Sequence, residues 1–176
     1  MTSPRQNTLP EATTQSEPVL RQPAVGDGAG MWRVARDSVR LDLNPPYAYL
    51  LWARDFADTS VVADVDGEVA GFVTGFRRPN SPQTLMVWQV AVDERLRGRG
   101  VASRLLEHLV ERTDATTLET TITDDNPASR SLFAGLARRH GAEHTVDPLF
   151  EADQFPDEDP WKPEFLHRIA PLNHAH

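Results

Sequence analysis

A single mixed α/β domain around a mostly antiparallel sheet is the fold class that this sequence predicts, on three observations. Asp66-Gly67 is a strong two-residue hairpin signal between two strand-like runs, Ser60 to Asp64 and Glu68 to Phe76. A third run, Thr84 to Val92, is apolar on both faces, as a central strand is. Helix patterns precede this meander, and strand–helix–strand patterns follow it, which together give a mixed domain.

The elements follow in order. Residues 1–17 are polar, with Pro4 and Pro10, and read as a disordered tail. The domain is expected over 18–171, with 172–176 as a second tail. A short strand is expected at Val19 to Gln22. Asp27 is placed to cap a helix through about Ser38, with Met31, Val34, Ala35 and Val39 roughly on one face. Asn44-Pro45-Pro46 breaks the chain, and an aromatic, apolar helix follows from Tyr47 to about Phe56. Arg77 to Pro82 reads as a loop. The helix from Gly100 to about Arg112 sets Val101, Leu105, Leu106, Leu109 and Val110 on one stripe. Thr116 to Thr123 is a strand rich in β-branched residues. Asp125 or Asn126 caps a helix to His140, which Gly141 stops. Ala142 to Val146 is a short strand, the acidic 147–164 segment a surface loop, and Phe165 to Ile169 a last strand.

Composition narrows the function. The 176 residues carry 18 basic and 26 acidic groups, a net charge of −8, which argues against a nucleic-acid or anionic-membrane surface. No apolar run approaches the roughly 20 residues of a membrane span. The chain start lacks the charged-then-apolar layout of a secretory signal, so a cytoplasmic location is expected. There is no cysteine, and the histidines show no ligand spacing: Gly141 breaks the helix between His140 and His144. No metal is expected.

The chemistry concentrates after the third strand. Arg97-Gly98-Arg99-Gly100 joins an apolar strand to an amphipathic helix. Glycines let backbone N–H groups approach phosphate oxygens, and a helix N-terminus adds partial positive charge. Arg95, Arg97, Arg99 and Arg104 add full charges. The reading is a pyrophosphate cradle.

Arg95-x-x-Gly98-x-Gly100, with this strand and helix around it, resembles the signature of the GNAT family of N-acetyltransferases. Four further blocks in order are similar to the diaminobutyrate acetyltransferases of that family: 41–51 (LDLNPPYAYLL), 87–92 (VWQVAV), 118–123 (LETTIT) and 125–133 (DNPASRSLF). Phe150, Phe155 and 164–169 (EFLHRI) continue the match. The resemblance implies the GNAT fold, acetyl-CoA as co-substrate, and a homodimer. It implies N4-acetylation of L-2,4-diaminobutyrate in ectoine biosynthesis, by direct transfer in a ternary complex. Rival expectations are another small diamine or amino acid as acceptor, or an acyl-CoA-binding domain without turnover. The resemblance places backbone groups of Val90, Ala91 and Val92 on the pantetheine and thioester. It places Arg97, Gly98, Arg99, Gly100, Val101 and Ala102 on the pyrophosphate, and Asn126, Ser129 and Phe133 along the cofactor. Three departures stand out: Pro45 where Ser is usual, Trp161 where His is common, and Phe133 where many relatives carry a tyrosine.

The reaction needs a neutral amine, and holding a side-chain amine deprotonated at pH 7 costs roughly 4–5 kcal/mol. Asp42 and Glu164 are the candidate carboxylates, either as base or as anchor for the α-ammonium, with Trp88 beside the reacting groups. Acetylation of the more basic distal amine must come from positioning. Tyr47 and Trp88 are expected to wall the aliphatic stem, although Trp88 equally fits a core position. Thr120 and Thr121 are candidate donors to the substrate carboxylate, for which no single arginine presents itself.

Overall fold

A computed structural model describes residues 16–38, 41–156 and 161–173. Expectations for 1–15, Val39, 157–160 and 174–176 lie outside the described residues.

Seven strands form one sheet: β1 (Val19–Arg21), β2 (Ser60–Val65), β3 (Glu68–Arg78), β4 (Ser81–Val92), β5 (Thr117–Ile122), β6 (Glu143–Phe150) and β7 (Glu164–Ala170). Their order is β1-β2-β3-β4-β5-β7-β6, with every pairing antiparallel except β4 with β5. Helices α3 (Val101–Thr113) and α4 (Pro127–His140) cover one face, burying Leu105, Leu106, Leu109, Phe133 and Leu136 against Val73, Val87 and Leu118. Helices α1 (Gly28–Asp37) and α2 (Pro46–Arg54) cover part of the other, where Met31, Val34 and Tyr49 meet Val62 and Phe72. This is the GNAT fold. No helix among the described residues is long and apolar enough to cross a membrane.

The structure departs from the sequence reading in instructive places. Asp27 does not cap α1: its carboxylate accepts from the Arg21 guanidinium at 2.7 Å and the Ala24 N–H at 2.7 Å. That ion pair holds it well below the usual carboxylate range. The expected loop at 77–82 is a tight hairpin, with Arg77 opposite Leu85 and Arg78 opposite Ser81. Pro82 falls at the register irregularity, where its missing N–H interrupts no regular rung. β6 runs on to Phe150 through Asp147 and Pro148, both expected in a loop. It is an edge strand, where charge and proline are tolerated and discourage further pairing. Leu172, expected in a tail, is buried in the core, its N–H bonded to Thr116 O at 2.8 Å.

Two irregularities shape the site. Thr74 pairs with Gln89 and Gly75 with Val87, so Trp88 is an extra residue, a β-bulge in β4. Gly75 makes the bulge possible, because a Cβ there would sit 2.7 Å from Met86 O and 3.3 Å from Thr59 O. Gly75→Ala is expected to destabilise the fold by about 1–3 kcal/mol, read as a shifted denaturation midpoint. The second irregularity is the β4–β5 ladder, which covers only Thr84–Met86 against Thr117–Glu119. Beyond it the strands part, and β5 continues by pairing with β7.

Candidate active site

The gap between β4 and β5 opens into a cleft of about 670 Å³ at the start of α3 and α4. Val90, Ala91 and Val92 line it with main-chain groups that have no β5 partner. Arg97, Gly98, Gly100, Val101 and Ala102 line it from the loop and α3, and Asn126 and Ser129 from α4. Gly98 and Gly100 both have φ +73°, the left-handed region that favours glycine, and open space beside the Cα. Gly100 is the N-cap of α3 and offers no side chain to the first-turn N–H groups, which leaves them available to an anion. The contrast with α4 is direct, since Asn126 caps it by accepting from the Ser129 N–H at 3.1 Å.

Two residues expected along the cofactor, Phe133 and Arg99, do not line this cleft. Phe133 is buried in the core on the inner face of α4. Arg99 lies 3.4 Å from the Glu17 carboxylate, which also meets Arg104 at 3.0 Å.

The acceptor side forms at the open end of the gap, on the face partly covered by α2. The bulge turns consecutive residues of β4 the same way, so Trp88 and Gln89 both contact α2. Trp88 is half exposed and sits 6.2 Å from the Trp52 ring, which in turn meets Phe56 and Phe76. Of the two readings left open for Trp88, core or wall, its exposure fits a wall. Tyr47, at the start of α2, is 67% exposed, whereas Tyr49 is buried.

Gln89 and Tyr49 make a buried link to the Asp42 loop that the sequence reading did not assign. Buried Gln89 donates to the Asp42 carbonyl at 2.9 Å and accepts from the Tyr49 hydroxyl at 3.1 Å, tying the Asp42 loop to β4. Across the gap, Thr121 and Asp42 both lie near enough to Glu164 to act on its carboxyl, the Thr121 side chain favouring the ionised form and Asp42 opposing it. Glu164 is half-buried, and burial first, Asp42 second, push its carboxyl above the usual range against the opposing Thr121 bond. Asp42 is therefore tied to the β4 side of the gap through its main chain, while Glu164 stands on β7 at the other. Thr120 points to the other face, buried, with its hydroxyl donating to Val87 O at 3.2 Å. Of the two threonines, Thr121 is the one that shares a sheet face with Glu164. Trp161 stacks on Phe155 at 5.2 Å, beside the strand that carries Glu164. Among the described residues no cluster of three or more His, Asp or Glu is arranged to hold a metal.

Comparison with known proteins bears on the family and the fold. The profile of the acetyltransferase (GNAT) family matches residues 30–137. The L-2,4-diaminobutyric acid acetyltransferase of Nocardia farcinica is 55% identical over 157 residues, covering 88% of this chain and 80% of that one. This chain belongs to the diaminobutyric acid acetyltransferases of the GNAT family. A second member of these acetyltransferases, from Streptomyces coelicolor, is 52% identical over 164 residues, 90% of this chain and 96% of its own. Among solved structures, the diaminobutyrate acetyltransferase of Paenibacillus lautus, in complex with L-2,4-diaminobutyric acid and coenzyme A, superposes with a TM-score of 0.85. It is 38% identical and covers 91% of this acetyltransferase and 98% of its own chain. Ard1 from Thermoplasma volcanium, 18% identical with a TM-score of 0.69 over 90% of this chain and all of its own, shares the fold.

Proposed function

We propose that this chain transfers the acetyl group of acetyl-CoA to the distal amine of L-2,4-diaminobutyrate, giving N4-acetyl-L-2,4-diaminobutyrate. The observation that carries this reading is the pair Asp42 and Glu164, fixed from opposite sides of the β4–β5 gap. The gap itself leads from the α3 cradle. The similarity to diaminobutyric acid acetyltransferases supports the choice of acceptor.

In this reading the first turn of α3 and the Gly98–Gly100 loop hold the pyrophosphate, and Asn126 meets the pantetheine arm. Glu164 takes the proton of the distal ammonium, directly or through water, and exposed Asp42 holds the α-ammonium. The neutral nitrogen attacks the thioester carbon. A free N–H on β4 near Val90 stabilises the oxyanion, an effect often worth several kcal/mol. The C–S bond breaks, the thiolate leaves, and the second proton of the nitrogen, now part of the amide, passes to the thiolate or to water. With a pKa around 8.5 the thiolate needs no protein acid, consistent with the lack of any tyrosine after Tyr49. Both substrates are bound together, no metal takes part, and the product feeds ectoine formation under osmotic stress.

The test compares acetyl transfer to 2,4-diaminobutyrate, ornithine and lysine, following free CoA. Diaminobutyrate is expected to lead in kcat/KM by at least about tenfold, the scale of one methylene in a fitted pocket. NMR of the product is expected to show acetyl on N4, and initial-rate plots to intersect. Equal turnover of the longer acids overturns the assignment. Binding of acetyl-CoA without release of CoA in the presence of any amine points to a non-catalytic domain. A cytoplasmic homodimer belongs to the same proposal, and sedimentation at twice 19.6 kDa tests its assembly.

A further inference from the structure

The floor beside the paired carboxylates holds a charge arrangement that the reaction above leaves without a role. Glu119 lies opposite Arg168, and Thr121 opposite Leu166. By the two-residue period of a strand, Glu119 and Thr121 share a sheet face with Glu164, Leu166 and Arg168, while Leu118, Ile122 and Ile169 enter the core on the other. Glu119 is buried. Its Oε1 accepts from Arg168 Nη1 at 2.6 Å. Its Oε2 accepts no hydrogen bond and lies 3.4 Å from Arg78 Nε. Both guanidiniums are more than two-fifths exposed. Two cations on one buried anion leave a positive excess facing the acceptor side.

Charge and reach allow an amino-acid acceptor. Glu164 and Arg168 share one face of β7 four strand positions apart, about 13 Å between Cα atoms, so the ligand is reached only by the extended side chains and not by the backbone spacing itself. The distal nitrogen and carboxylate of diaminobutyrate lie roughly 5–6 Å apart, four bonds of about 1.5 Å. The acceptor carries two ammonium groups and one carboxylate. Asp42 and Glu164 suit the former and repel the latter.

We infer that Arg168 receives the α-carboxylate of the acceptor and makes the site selective for diamino acids over plain diamines. Glu119 is a positioning residue: it holds one Nη of Arg168 and leaves the remaining N–H groups of the fork for a bidentate contact. This rests on the diaminobutyrate reading, and the experiment separates the two. Isothermal titration of the CoA-bound full chain compares diaminobutyrate with 1,3-diaminopropane, the same skeleton without its carboxylate. Arg168→Gln is expected to weaken diaminobutyrate about 10- to 100-fold and the diamine less than twofold, with Arg168→Lys recovering part of the loss. Because Arg168→Gln leaves Glu119 buried with one partner fewer, E119Q/R168Q repeats the comparison without that charge, and the same loss of discrimination is expected. KM for acetyl-CoA stays unchanged. Equal weakening of both ligands, no weakening, or equal affinity of the wild type for both overturns the inference. A wild-type chain that binds CoA but does not acetylate diaminobutyrate overturns the parent reading instead.

Discussion

Glu164→Gln is expected to lower kcat/KM for diaminobutyrate by about 10²- to 10⁴-fold while leaving affinity for coenzyme A unchanged. The amide keeps the shape and accepts a hydrogen bond from Thr121, but it cannot take a proton. Glu164 suits a base better than Asp42 does. Half-burial and the neighbouring Asp42 raise its pKa, which brings it nearer the amine it must deprotonate. Asp42 is exposed, and its carbonyl accepts from Gln89, which leaves its carboxylate on the surface, as suits an ammonium anchor. The pH dependence follows. Below its raised pKa Glu164 is protonated and cannot act, so the acidic limb of wild-type kcat/KM lies above the ordinary glutamate range, and the glutamine variant lacks it.

Stability carries the same signature with a definite sign. A carboxyl whose pKa is higher folded than unfolded stabilises the fold below its unfolded pKa, and that stability is lost as pH rises through the folded value. At neutral pH the ionised Glu164 therefore weakens the fold. Glu164→Gln is expected to melt a few degrees above the wild type at pH 7 and to lose that advantage by pH 4. A variant that loses both activity and stability at pH 7 is damaged in structure, not in proton transfer.

Much of the fold was legible because its signals are local. Asp66-Gly67, the α3 stripe and Asn126 each fix an element without help from distant residues. The strand, glycine loop and helix of the proposed cradle were legible for the same reason, being contiguous in sequence. What lay hidden depends on register. A bulge at Trp88 follows from Gly75 on a neighbouring strand, and nothing within 87–92 announces it. Gln89 reads as a polar residue in an apolar run until the bulge turns it toward Tyr49 and Asp42. Arg168 goes unnoticed because its partner Glu119 is 49 residues away in sequence. Phe133, placed along the cofactor by resemblance, is packed in the core cluster on α4, a position its apolar neighbours favour.

Gly98→Glu is expected to weaken coenzyme A binding by about 10²-fold or more, because two effects act together. The first is conformational. With φ at +73°, any L side chain costs roughly 1–2 kcal/mol. A Cβ there meets nothing within 4 Å, so this strain stays local and the fold survives. The second is electrostatic. A carboxylate placed beside the uncapped first turn of α3 competes for the N–H groups a pyrophosphate needs and repels it. Two controls separate these effects. Gly98→Ala carries the strain without the charge and is expected to lose affinity far less. Gly67→Ala carries a comparable strain, at φ +86°, in the remote β2–β3 turn, and is expected to lower the melting temperature with no effect on affinity. If titration shows Gly98→Glu binding coenzyme A as the wild type does, the loop between β4 and α3 is a turn and the anion sits elsewhere. An affinity loss in Gly67→Ala as large as that in Gly98→Ala shows instead that general destabilisation, not local contact, sets the change.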